Sequence, residues 1–276
     1  MMNQRIRLGI CHWSVPIPGP YACKWVSEWG LEGMQLEMGE PEKGFPLSKE
    51  YVRRAYAEMG EEYHIEFPSV VVGTTKKYAL TLRGSSEDQQ MTVTAIRKTM
   101  DAAPDLRASV VMIPSFGASA MESTEDMRRT AEVLSWACDL AMDKGLTVAT
   151  ENLLGVKEMY DLFEMVNRPN LRVYFDTQNH FLRKGYDIAE MIRALSPLLC
   201  SEIHAKDGKG HLSGSLLGEG DAGFFRAAEA LKQIGYSGWI HLENYYDREP
   251  LSLQNENAVT LIQKDIGVLK DVFKLF

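Results

Sequence analysis

Residues 123–152 read STEDMRRTAEVLSWACDLAMDKGLTVATEN, and this stretch decides the fold. Ser123 can cap a helix with Asp126 three residues on, and Met127, Ala131, Leu134, Cys138 and Ala141 then recur at helical spacing. The helix is expected over Ser123–Lys144, and Gly145 stands where helices end in a left-handed residue. The period then changes at once. Leu146–Thr150 is a short apolar, β-branched run that reads as a strand and stops at Glu151. A helix feeding directly into a short buried strand implies parallel pairing, because each helix is the crossover that returns the chain.

Working outward, the same alternation occurs eight times. The other expected strands are Ile6–His12, Gly33–Met38, Tyr63–Phe67, Ala108–Ile113, Leu171–Phe175, Leu199–His204 and Gly238–Leu242. A last amphipathic helix follows, with its stripe on Val259, Ile262, Ile266, Leu269, Phe273 and Phe276. No Ser/Gly/Pro-rich linker divides the chain. A doubly wound, dinucleotide-binding sheet would need a glycine-rich turn after its first strand, and Cys11-His12-Trp13-Ser14 is not one. The length of 276 residues lies near the roughly 250 that eight βα units require. The fold expected is an α/β chain forming a single (β/α)8 TIM barrel, one domain over residues 1–276.

Composition narrows the function. Hydrophobic residues at 45 % and charged residues at 25 % match ordinary globular usage, which excludes a disordered or collagen-like chain. A formal charge of −8 with no compensating basic block argues against a nucleic-acid or acidic-membrane surface. Cys11, Cys23, Cys138 and Cys200 show neither a disulfide framework nor a thiolate zinc spacing. Met1 to Leu8 lacks a signal-peptide core, and no apolar stretch approaches the roughly 20 residues of a membrane helix. The expectation is a soluble protein of the reducing cytoplasm.

In such a barrel, chemistry collects at the carboxyl ends of the strands. The fifth strand ends Thr147-Val148-Ala149-Thr150-Glu151-Asn152, and the sixth reads Val173-Tyr174-Phe175-Asp176-Thr177-Gln178-Asn179-His180. The seventh reads Ser201-Glu202-Ile203-His204-Ala205-Lys206-Asp207, and the eighth Trp239-Ile240-His241-Leu242-Glu243-Asn244. Four consecutive strands therefore each end in a candidate metal ligand: Glu151, Asp176, His204 and Glu243. Period-two alternation that turns these four inward sends Ile203, Ile240 and Leu242 to the helix side. Three carboxylates at one mouth repel unless a cation neutralises them. Three oxygen ligands and one imidazole suit one divalent metal ion, Mn2+ or Mg2+ first, with Co2+ or Zn2+ also fitting. Singly, each residue has a plainer reading; Asp176 followed by Thr177 could cap the next helix. As a set on successive strands, the metal reading outweighs those.

Thr150-Glu151-Asn152, Phe175-Asp176-Thr177, His204-Ala205-Lys206-Asp207, Leu217-Gly218-Glu219-Gly220-Asp221 and Gly238-Trp239-Ile240-His241-Leu242-Glu243 together resemble the xylose isomerase-like TIM barrel superfamily. Within it they are similar to the sugar phosphate isomerase/epimerase group, which includes ketose 3-epimerases, hydroxypyruvate isomerases, and inosose isomerases and dehydratases. The resemblance implies one divalent metal held by Glu151, Asp176, His204 and Glu243. It also implies that Glu151 and Glu243 move protons on opposite faces of a substrate held as a metal-bound enediolate. The implied substrate is a small sugar, keto-sugar or polyol. Related barrels often pair, so a homo-oligomer is an open expectation.

The chain departs from the ketose 3-epimerase pattern at two places. Asn179, with His180 next to it, stands where those enzymes carry a histidine after the sixth-strand aspartate. Lys206, Lys209 and His211 stand where they carry an arginine. Substrate contacts are therefore expected to differ. Lys206 shares the facing of His204 and reads either as a ligand for a substrate oxygen or phosphate or as a solvated loop lysine. Glu37 reads as an acceptor for substrate hydroxyls or a loop charge, and His12 and Trp13 as a wall against a sugar face or core packing. Gly218-Glu219-Gly220-Asp221 reads as a turn into a helix from Phe224, with a lid as the alternative. Glu202 and His241 share one inward layer and are expected to pair beneath the site.

Three competing functions remain to be separated. An inosose-type dehydratase would begin with the same proton abstraction and then expel a hydroxyl. An abasic-site endonuclease-like hydrolase would hold three zinc ions with many more than the six histidines present, on a cationic surface. A non-catalytic partner barrel would have no use for a complete ligand set.

Overall fold

A computed structural model of the chain describes residues 5–275, so Met1 to Gln4 of the amino-terminal reading and Phe276 of the last stripe lie outside the described residues. The strands are β1 (Ile6–Cys11), β2 (Gly33–Glu37), β3 (Ser69–Val71), β4 (Val110–Pro114), β5 (Thr147–Glu151), β6 (Leu171–Asp176), β7 (Leu199–Ala205) and β8 (Gly238–Leu242). The helices are α1 (Ala22–Glu28), α2 (Glu50–Tyr63), α3 (Ser86–Ala102), α4 (Thr124–Met142), α5 (Val156–Val166), α6 (Asn179–Lys184), α7 (Ile188–Leu195), α8 (Phe224–Gln233) and α9 (Ala258–Phe273). The eight strands close into one parallel barrel in chain order, a single (β/α)8 TIM barrel.

The opening stretch folds as its sequence predicts. Ser123 Oγ accepts the Asp126 amide at 3.1 Å and caps α4. Gly145 adopts φ 67°, and β5 begins two residues later. Val148 and Ala149 of β5 are fully buried, as are Ala137, Cys138 and Ala141 on the inner face of α4. Burial of Val148 alone contributes about 1.5–3 kcal/mol.

One strand lies elsewhere than its sequence suggests. Tyr63 is the last residue of α2, and His64 leaves the helix at φ 57°. The third strand is Ser69–Val71, which pairs Ser69 with Val110 and Val71 with Met112. The alternation of Tyr63, Ile65 and Phe67 imitates a half-exposed strand. The real strand is covered throughout, so it shows no alternation to read.

The contacts gather into two compact units. The first is built on β1, β7 and β8 with the end of β6. There Ile6↔Gly238 through Ile10↔Leu242 and Glu202↔Trp239 through Ala205↔Leu242 run in register. The expected Glu202–His241 pair is present, with His241 Nε2 3.2 Å from Glu202 Oε2 and both side chains fully buried. The His241 ring fills the space where a Cβ at Gly9 would stand, 2.4 Å from its Nδ1, so no other residue fits at Gly9. The second unit is built on β3, β4 and β5 with most of β2 and β6. Its buried polar contacts include Gln35 Nε2, which donates to Ser69 Oγ and Tyr174 Oη at 2.9 Å each.

All four cysteines are buried and none is in a disulfide. Among the described residues no helix is long and apolar enough to cross a membrane.

Candidate functional site

The strand register builds the site. His204 pairs with His241 and Ala205 with Leu242, so the next step sets Lys206 beside Glu243 on the same face. Glu243 extends this ladder by donating its amide to the Ala205 carbonyl at 3.0 Å. Thr177 ties the sixth strand's end to the seventh. Its amide donates to the His204 carbonyl at 3.1 Å, while its hydroxyl donates to the Lys206 carbonyl at 2.7 Å and accepts the Lys206 amide at 2.9 Å.

Glu151, Asp176, His204 and Glu243 each offer one ligand atom, all within 4.8 Å of one another, and all four residues are buried. His204 Nδ1 lies 3.2 Å from Glu243 Oε2. Lys206 is buried too. Its Nζ stands 2.6 Å from Glu243 Oε2 and 3.1 Å from Asp176 Oδ2, so it is not the solvated lysine that a loop position suggests. The three carboxylates outnumber this single ammonium by two charges, which is what a divalent cation neutralises. The donor set, its burial and its charge therefore fit such an ion. Burial pushes the Glu243 carboxyl up, but His204 and Lys206 outweigh it and hold the group well below the usual carboxylate range.

Asp176 divides its two oxygens between the start of α6 and the cluster. Its Oδ1 accepts the amides of Gln178 at 2.8 Å and Asn179 at 2.5 Å, which starts α6, while Oδ2 faces Lys206. Trp13 joins the centre, its Nε1 donating to Glu243 Oε1 at 3.2 Å and its ring meeting His204 edge-on with centroids 6.0 Å apart. His12 is occupied nearby: Nε2 accepts the Gly19 amide at 3.1 Å, and burial lowers its pKa. His180 stacks on Phe175 at 5.4 Å and 6°, a buried aromatic contact. Asn179 is also buried, at the first turn of α6. Glu37 ends β2 over Gly73, where a Cβ would sit 1.6 Å from Oε1, and burial raises its pKa.

Sequence reasoning missed two groups here. Cys11 ends β1 fully buried near His204, and burial pushes its thiol up to about 12, so it stays protonated. Asp207 is the second. Its carboxylate accepts the amides of Gly208 at 2.9 Å, Gly218 at 3.0 Å, Gly220 at 3.2 Å and Ala222 at 3.4 Å. The Gly218–Asp221 segment is thus a turn wrapped on a buried acid, and a Cβ at Gly220 would meet Asp207 Oδ1 at 2.1 Å. The signal was the two glycines around Glu219, which allow that approach.

A family model described as xylose isomerase-like TIM barrel matches residues 23–272. The 2-epi-5-epi-valiolone 7-phosphate 2-epimerase of Actinoplanes sp. is 28 % identical over 227 residues, 82 % of each chain. Among solved structures, D-psicose 3-epimerase with D-tagatose from Clostridium cellulolyticum superposes with a TM-score of 0.79 at 15 % identity, over 97 % of this chain and 99 % of that one. The IOLI protein with a binding zinc atom gives 0.76 at 18 % identity, over 98 % and 99 %. These two likenesses show a shared fold. With a family model spanning nearly its whole length, the chain belongs to the xylose isomerase-like TIM barrel family.

Proposed function

We propose that this chain, working as one domain over residues 1–276, is a divalent-metal-dependent isomerase or epimerase of a small sugar, keto-sugar or polyol. The observation that carries the reading is the buried cluster of Glu151, Asp176, His204 and Glu243. The Actinoplanes relative, a 2-epi-5-epi-valiolone 7-phosphate 2-epimerase, supports the same reaction class.

In this reading the four residues hold the ion, with Mn2+ or Mg2+ first among candidates. When bound, a divalent cation polarises a carbonyl and its neighbouring hydroxyl, which makes the carbon-bound proton acidic. Glu151 and Glu243 are the proton carriers. One takes the proton from carbon and the other returns it, to the opposite face or to the neighbouring carbon. Trp13 and Lys206 hold the Glu243 carboxylate in one orientation from its two oxygens, so the proton is exchanged at a fixed point. Lys206 also supplies a positive charge for a substrate oxygen, and Glu37 an acceptor for substrate hydroxyls.

The test is incubation of the Mn2+-loaded protein in D2O with a panel of ketoses, inososes and their phosphates. Deuterated isomer is expected. Loss of one water from a substrate would instead identify a dehydratase, and neither exchange nor conversion across the panel overturns the proposal.

A further inference from the structure

The last helix carries a carboxyl that the chemistry above leaves unused. Asp265 is fully buried on the inner face of α9, among Leu261, Ile262, Ile266 and Leu269. A charge in such surroundings costs several kcal/mol unless hydrogen bonds meet it. Burial, to which Glu219 adds, pushes this carboxyl up to about 6. Three donors meet it, one from the turn after β7 and two from the segment after β8. Oδ1 accepts the Leu217 amide at 2.8 Å, and Oδ2 accepts both Asn244 Nδ2 and the Tyr246 hydroxyl at 2.8 Å.

Two of these contacts lead back to the centre. Asn244 directly follows Glu243. Its Oδ1 accepts the amide of Asp207 at 3.1 Å, and Asp207 directly follows Lys206. The second hydrogen of Asn244 Nδ2 reaches the Ser215 carbonyl at 2.9 Å. Leu217 opens the turn whose amides close on the Asp207 carboxylate. The residues behind Glu243 and Lys206, and the turn between β7 and α8, are thus gathered on one acid. An apolar side chain would pack at position 265 at least as well as a carboxylate, but it could hold none of the three donors.

We propose that Asp265 is a positioning residue of the centre, which through Asn244 sets where Glu243 and Lys206 stand although it touches neither. The inference rests on the function proposed above. Its test uses the full chain, with Asp265→Asn measured three ways: Mn2+ affinity by calorimetry with the metal alone, kcat and KM on the substrate found by the panel, and Tm. Asparagine has one acceptor oxygen where the carboxylate has two, so its NH2 must face either the Leu217 amide or the Asn244 and Tyr246 donors, and one arm is released. Mn2+ affinity and kcat are each expected to fall about 10- to 100-fold, with KM within about 2-fold and the fold retained. Tyr246→Phe leaves the Asn244 arm in place and is expected to keep Mn2+ affinity within about 2-fold.

A lowered Tm with unchanged Mn2+ affinity and kcat would make Asp265 a structural residue only. That outcome overturns the inference and leaves the proposed function standing. Wild-type protein that binds no Mn2+ and converts nothing overturns instead the reading beneath it. Should Asp265→Asn not fold, Asn244→Ala carries the test, since Asp265 keeps its other two donors. Unchanged Mn2+ affinity and kcat in that variant overturn the inference equally.

Discussion

The unit around β7 and β8 and the unit around β3, β4 and β5 fill the barrel interior with different chemistry. In the second, Val110, Met112 and Val71 face inward with Ser69, and Gln35 joins Ser69 and Tyr174 through neutral hydrogen bonds. In the first, the inward positions are Glu202 with His241, then His204, then Lys206 with Glu243, all buried. Neutral groups leave water at small cost. Buried charges cost several kcal/mol each and are repaid only when every one finds a partner. A sequence that keeps such charges on consecutive strands is giving up stability at that place, which is the mark of a site.

The largest effect expected tests whether the charged layer is there for chemistry. Glu151→Ala and Glu243→Ala should each lower turnover about 100- to 10,000-fold, the range for loss of a proton-transferring group. Bound metal, measured by elemental analysis, should fall with it. If both variants keep wild-type metal content and turnover, the difference between the two units is one of packing alone.

Next in size is the cost of opening each interior. Lys206→Met leaves the carboxylates of Glu243 and Asp176 buried without their cation, and metal-free protein should lose about 3–5 kcal/mol in denaturant unfolding. Gln35→Leu, in the other unit, leaves only neutral groups unpaired and should cost about 1–3 kcal/mol. Equal losses would remove the distinction.

What could be read from the sequence follows the same division. The α4–β5 passage was legible because its signals are local: a cap at Ser123, a stripe along one helix, a left-handed glycine at Gly145. The acids at the strand ends were legible because a carboxylate or histidine after an apolar run breaks the pattern. β3 was not, because a strand covered on both faces has no alternation. The burial of Lys206 was not, because its partner Glu243 stands 37 residues away. Asp265 was passed over for the same reason. One acid within an apolar stripe looks like chance until its donors, 48, 21 and 19 residues distant, are in place. Periodicity reports what a residue's neighbours in sequence are, and charges in a barrel are settled by neighbours in space.

The smallest effect concerns what the charged layer costs. Burial raises Asp265 to about 6, above its ordinary value of 3.8. Between those values the native protein binds the proton and the unfolded chain does not, so stability falls as pH rises through the window. The contribution is full below the unfolded value and is lost as pH passes the folded one. From about pH 5 to about pH 7 the loss assigned to Asp265 is about 1 kcal/mol. Glu219, whose charge acts on Asp265, is present in both proteins, so the measurement is the difference between wild type and Asp265→Asn at each pH. Tyr246 and Asn244, which also face Asp265, carry no charge there and drop out of that difference. The asparagine has no proton to lose, so the variant should gain about 1 kcal/mol relative to wild type as pH rises from about 5 to about 7. Parallel curves would show that the acid titrates alike in the folded and unfolded chain, and the burial of charge behind β8 would then cost nothing.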